Sequence, residues 1–156
     1  MYLKFAIVAL VTIYSSSFTA ADETDCGTAT THDIRMLNKS ETDPKMKMVF
    51  EPSFVEGAPG DCIRFIPTSK GHNAETIKGM FPKGFKKFKG KINKEFTVKL
   101  ETEGLYGIKC TPHYQMGMVA LIQIGQASEE QLKKAGKVKH RGKAKNRFKL
   151  LFERMD

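Results

Sequence analysis

Between Lys109 and Met118 the chain reads KCTPHYQMGM, which puts Cys110, His113 and Met118 in the spacing C-x2-H-x4-M. A thiolate, an imidazole and a thioether in one short loop are donors that suit a soft, redox-active metal. Pro112 fixes a backbone torsion inside the loop and removes an N–H donor, so the segment bends back and its side chains can converge. A fourth donor has to come from elsewhere. Of the remaining histidines, His32 opens an early strand and His140 lies in a basic tail, whereas His72 sits in a glycine-preceded turn (SKGHNAE) just past a strand. His72 is therefore the best placed. Two imidazoles, one thiolate and a distant thioether form the ligand set of an electron-transfer copper centre. Three other readings stay open on ligand types alone. Structural zinc uses four Cys or His ligands and fits a methionine poorly. A Cys–His nucleophile leaves Met118 without a role. A buried cysteine in plain core packing needs no metal.

The elements that would position these residues read as short strands. HDIRMLN alternates through Ile34 and Met36, DCIRFIP through Ile63 and Phe65, and EFTVKLE through Phe96, Val98 and Leu100. LYGIKC aligns Tyr106, Ile108 and Cys110 on one face, and MVALIQIG aligns Met118, Ala120, Ile122 and Ile124. This period of two means half-buried strands. Turn-forming clusters at 57–61, 68–73 and 101–104 separate them. Several short strands joined in this way make an all-β sandwich or barrel, with Cys110 ending one inward row and Met118 beginning the next. The insertion GMFPKGFKKFKGK (79–91) is too rich in Gly, Pro and Lys for a regular strand and reads as a solvated loop anchored by its phenylalanines, with room for a turn of helix. After Gly125 the pattern changes. Ser128 with Gln131 forms a capping box opening a helix that stops near Gly136. A second amphipathic helix, from Ala144 to Met155, lines up Phe148, Leu151, Phe152 and Met155 for packing on the sandwich.

Bulk properties bound the function. The first residues, with Lys4 ahead of an apolar run from Phe5 to Ile13 and a small-residue zone ending at Ala21, read as a signal peptide spanning 1–21. The run is well short of the roughly 20 residues a membrane span needs, so stable membrane insertion is not expected. The remainder suits one domain with its own core. The formal net charge is +9, and residues 126–156 carry ten of the basic and only four of the acidic side chains. A basic surface calls for an acidic partner. Nucleic acid is not the partner expected, because it leaves the Cys–His–Met cluster unexplained. Of the three cysteines, Cys110 belongs to that cluster, which leaves Cys26 and Cys62 as the candidate disulfide of an exported protein, with two unpaired thiols the open alternative.

The stretches MLNK (36–39), MVFEP (48–52), APGD (58–61), FIPT (65–68), KGHN with ETIKGM (70–80), KIN (91–93) and YGIKCTPHY-MGM (106–118) resemble the pseudoazurins, a family of periplasmic cupredoxins. The resemblance runs from about Ile34 to the C-terminal helices, which that family has and plastocyanin lacks. It implies a cupredoxin-type Greek-key β-sandwich with two C-terminal α-helices: a copper-binding domain over 22–125 and a basic helical extension over 126–156. It implies one type 1 copper held strongly by His72, Cys110 and His113 and weakly by Met118, with Met116 as the competitor. It places Asn73 between the two ligand loops near the cysteine sulfur, Pro112 beside His113, and Met48 near that imidazole. His113 would be the electron port, ringed by Lys39, Lys70, Lys89 and Lys109, which steer an acidic redox partner. The function implied is a monomeric periplasmic electron carrier and not an enzyme, taking electrons from a cytochrome-like donor and passing them to a denitrification enzyme such as nitrite reductase. A copper delivery or storage protein is the alternative use of the same ligands. The chain departs from the family at Gln115, where a glycine is common, in an apparent insertion at 40–47, in Cys26 and Cys62, and in its more basic tail.

Overall fold

The computed structural model describes residues 24–155. The signal-peptide reading of residues 1–21 lies outside them. Among the described residues, eight strands build two four-stranded sheets. The first has the order β2 (Lys47–Glu51), β1 (Thr31–Lys39), β4 (Cys62–Ile66), β6 (Phe96–Lys99). The second has the order β3 (Phe54–Gly57), β8 (Val119–Ile124), β7 (Gly104–Lys109), β5 (Glu75–Thr76). The chain passes back and forth between the sheets from β2 to β7, so β1 lies parallel to β4 and β3 parallel to β8, while β7 and β8 form an antiparallel pair. With helices α1 (Glu129–Gly136) and α2 (Lys143–Phe152), this is the cupredoxin-type sandwich expected.

Register puts the alternating residues where the sequence pattern requires. Ile34 pairs with Phe65 across β1 and β4, and Tyr106 with Ile122 and Ile108 with Ala120 across β7 and β8. These residues, with Met36, Phe50, Ile63, Cys110 and Met118, form the core between the sheets. A second cluster lies outside β7 and β8, where Leu105, Val119 and Leu121 meet Ala135 of α1 and Ala144, Phe148 and Leu151 of α2. The expectation that these strands are half-buried is corrected here. Their outward residues are apolar because two helices cover that face.

The other differences are local. The loop 79–91 has turns and no helix, and its Phe81, Phe85 and Phe88 pack on the main core, Phe85 edge-on to Tyr106 at 4.9 Å. Ser128 caps α1, its hydroxyl accepting from the N–H of Gln131 at 3.2 Å. The reciprocal half of the capping box is not made. The Gln131 amide instead binds both backbone groups of Leu105, accepting from its N–H at 3.0 Å and donating to its carbonyl at 2.8 Å. Two hydrogen bonds to an otherwise unpaired strand residue outweigh one to a cap that water can also satisfy. Cys26 and Cys62 are joined in a disulfide, and Cys110 is free and buried.

Candidate metal centre

Three elements end at one pole of the sandwich. The turn after β4 carries His72, β7 runs into Cys110, and the loop 110–118 carries His113 before entering β8 at Met118. The loop is closed at its base by the N–H of Cys110 donating to the Met118 carbonyl at 3.0 Å. Inside it, the N–H groups of His113 and Met118 donate to the carbonyls of Cys110 and His113, each at 3.2 Å. This small hydrogen-bonded frame aims the side chains inward. Cys110 Sγ lies 3.7 Å from His72 Nδ1 and 3.5 Å from His113 Nδ1, and the two imidazole nitrogens are 3.1 Å apart. All three donor atoms fall within 4.8 Å of one another. Metal–ligand bonds of about 2.0–2.3 Å separate donors around one ion by some 3–4 Å, so the spacing fits a single metal ion.

The electrostatics fit as well. His72 is fully buried, and burial, aided by the neighbouring His113, pushes its pKa down to about 4. Its imidazole is therefore neutral at pH 7, with a nitrogen lone pair free for a metal. Burial also pushes the Cys110 thiol up, against the backbone N–H groups of Asn73 and His113 that face the sulfur and favour the thiolate. A bound cation would tip that balance fully to the thiolate. Two imidazole nitrogens and one soft sulfur suit copper better than a hard cation.

Hydrogen bonds around the donors fix their orientation. The far nitrogen of His72, Nε2, meets the Asn38 side-chain oxygen at 2.9 Å. Asn73 bridges the two ligand loops, its oxygen accepting from the Thr111 N–H at 2.8 Å and its amide nitrogen donating to the Thr111 hydroxyl at 3.2 Å and the Gly90 carbonyl at 3.1 Å. Thr111 in turn donates to Glu75 at 2.7 Å. Such outer partners hold a ligand's tautomer and ring orientation.

The comparisons with known proteins agree with this geometry. The family of copper binding proteins of the plastocyanin/azurin type matches residues 36–125. A pseudoazurin of Paracoccus pantotrophus is 53% identical over 103 residues, covering 66% of this chain and 69% of the relative. One of Methylorubrum extorquens is 46% identical over 119 residues, covering 76% and 78%. The refined crystal structure of pseudoazurin from Methylobacterium extorquens AM1 aligns with a TM-score of 0.75 at 44% identity, over 81% of this chain and 99% of that one. This chain belongs to the pseudoazurin family. It is accordingly a blue copper electron carrier and not an enzyme, its cofactor is copper, and its partners are other redox proteins.

The structure separates the two methionines of the loop: Met118 is buried in the same cluster as Cys110, whereas Met116 is 47% exposed. Pro112 is exposed beside the half-buried His113. Met48 packs partly buried against the core at the start of β2, with a positive φ of 52°. Lys39, Lys70 and Lys89 are exposed and Lys109 is half-buried. Lys89 and Lys109 each lie 3.8 Å from the Glu75 carboxylate, and Lys109 also sits 5.6 Å above the Tyr114 ring, so part of their charge is answered locally. Asn38, Thr111 and Glu75 escaped the sequence reading as site residues. The only sequence signal for Asn38 is its place in MLNK, which points to the site only through the family resemblance.

No helix among the described residues is long and apolar enough to cross a membrane.

Proposed function

We propose that His72, Cys110 and His113 are the strong ligands of one copper, that Met118 is its weak axial ligand, and that the protein shuttles single electrons in the periplasm. The observation that carries this reading is the convergence of three donor atoms within 4.8 Å of one another, one of them on Cys110, which shares a buried core cluster with Met118. Copper bound there supplies a reversible one-electron change between its cupric and cuprous forms. The residues do the rest. The sulfurs favour the cuprous form and the imidazoles accommodate the cupric one, while the hydrogen-bonded frame and the Asn38 and Asn73 contacts keep the donors from rearranging. His113, half-buried and flanked by exposed Pro112 and Met116, offers the short way out to a docked partner.

Lys39, Lys70, Lys89 and Lys109 belong in this reading to the docking rim and steer an acidic partner, raising the encounter rate more than the affinity. Lys39 and Lys70 carry more of that role than the two lysines flanking Glu75. The acceptor is a nitrite reductase-like enzyme, the donor is cytochrome-like, and the carrier works as a monomer. Residues 1–21 are the export signal, 22–125 the copper domain and 126–156 its helical extension.

The deciding experiment is the visible spectrum of the purified mature protein after addition of cupric copper, with Cys110→Ala alongside. Intense colour that is bleached by a mild reductant, returns on oxidation and is missing in the variant is expected. A pale wild type, or an equally coloured variant, would sink the copper–thiolate assignment and favour metal delivery.

A further inference from the structure

Arg147 of α2 is a half-buried guanidinium with no carboxylate within ion-pair distance among the described residues. Its donors go to main-chain oxygens instead. Nη1 donates to the carbonyls of Met48 and Gly117, each at 2.6 Å, and Nη2 to the carbonyl of Lys47 at 2.8 Å, with Met46 Sδ at 3.8 Å. Burial pushes its pKa down. A half-buried cation without a counter-charge is costly unless its donors are satisfied, and here main-chain oxygens satisfy them.

What it holds is the exit of the ligand loop. The Gly117 carbonyl belongs to the same peptide plane as the Met118 N–H, and that N–H donates to the His113 carbonyl at 3.2 Å. The plane is thus pinned on both sides, by Arg147 through its oxygen and by His113 through its nitrogen. Its orientation sets the direction in which the Met118 side chain leaves the backbone. Gly117 has φ of 95°, and a Cβ there would meet Arg147 Cδ and Nε at 2.9 Å, so the loop leaves no side chain in the path of the arginine. The same end of the extension grips the loop twice more. The Lys143 N–H donates to the Gln115 carbonyl at 2.9 Å, and the Tyr114 hydroxyl bonds His140 Nδ1.

We propose that Arg147 is a positioning residue of the metal centre: it fixes the Gly117–Met118 peptide, and so the axial thioether, and its fixed charge favours the reduced state. This rests on the reading of Met118 as axial ligand. The charge effect follows because copper loses one unit of positive charge on reduction, so a nearby cation repels the oxidised form more. The C-terminal extension is then part of the site.

The test compares Arg147→Gln, Arg147→Lys and Met118→Gln with wild type. In the metal-free protein, amide exchange at Met118 is expected to be at least about tenfold faster in R147Q, in excess of any change at Leu105, which α2 does not bond. In the copper-loaded protein, R147Q is expected to change the ratio of the two copper–thiolate absorption bands and to lower the midpoint potential. R147K, keeping the charge but losing the fork, should restore the potential more fully than the band ratio. An R147Q protein with wild-type band ratio, potential and Met118 exchange, altered only in its denaturant midpoint, overturns the proposal and leaves Arg147 a plain structural tie. If R147Q does not fold, R147K decides alone, and an unchanged band ratio and Met118 exchange in it overturn the proposal. Should M118Q leave the spectrum untouched, the axial assignment itself fails, which separates that failure from one confined to Arg147.

Discussion

Each end of strand β1 meets a histidine, and the two are kept differently. His32 lies near its start, facing Asp61 at 2.9 Å. His72 meets Asn38 near the strand's far end, roughly 20 Å away at the rise of a β-strand. At the His32 end the ring's hydrogen bond, with the Ala58 N–H, holds the Asp61 carboxyl below the usual range. An amide oxygen carries no charge to offer, and full burial adds a penalty for protonation, so His72 stays neutral. Sulfur follows the same division. Cys26 and Cys62 are spent on a covalent tie near the His32 end, while Cys110 at the other end keeps its sulfur free. A residue type alone does not make a metal ligand; its partner and burial do.

The sharpest way to break this contrast is to change each histidine in turn. His72→Gln should abolish the intense absorption that cupric copper gives, whereas His32→Gln should keep it and lose about 1 kcal/mol of stability, the net worth of one hydrogen bond. Copper titration with urea melts reads both. Loss of colour in His32→Gln would mean that the two ends are not independent. Next in size, replacing Cys26 and Cys62 together by alanine should cost about 4 kcal/mol by chain entropy for a sequence separation of 36, with the copper spectrum unaltered. A changed spectrum would show that the tie reaches the far pole.

A smaller effect than loss of the disulfide should come from acid. Midway along β1, Arg35 stands opposite Glu51, whose carboxyl is held down to about 2 by the Thr42 hydroxyl, against burial, with help from Ser40 and the backbone N–H groups of Glu41 and Thr42. A carboxyl lowered by folding contributes stability above its unfolded pKa, and loses it as pH falls through the folded one. Glu51→Gln should therefore be less stable than wild type at pH 7 by roughly 1–3 kcal/mol, with the gap closing between about pH 4 and pH 2. Urea midpoints against pH measure it. A gap that stays constant would show that the Glu51 charge contributes nothing.

Much of the site was legible because its pattern is local: Cys110, His113 and Met118 lie in one loop, and their spacing needs no knowledge of the fold. The strands with clean alternation were legible for the same reason. Strand β2 was not, because Val49 and Phe50 are both buried, Phe50 in the main core and Val49 lining a cavity that Leu150 and Leu151 of α2 also line, and two-sided burial erases the period of two. Asn38 and Arg147 stayed invisible because their contacts span 34 and 30 residues of chain, and only the topology brings those partners together. Gln131 misled in the other direction. Its spacing from Ser128 is right for a capping box, but spacing cannot show that a strand backbone competes for the same amide.

That competition has a consequence for how the molecule behaves in a crowd. Strand β7 presents its outward backbone groups at Leu105, Gly107 and Lys109, and two-residue β5 reaches only the last of these. Gly107 is taken by the Met80 carbonyl at 2.7 Å and the Ile77 N–H at 2.8 Å, and Leu105 by the Gln131 amide standing in for a missing neighbour. Three unrelated devices therefore close what would be an open sheet edge, the kind of surface onto which a second chain can add a strand. A carrier that must dock with redox proteins and part from them is thereby spared, along this edge, a ready-made seam for sticking to its own kind.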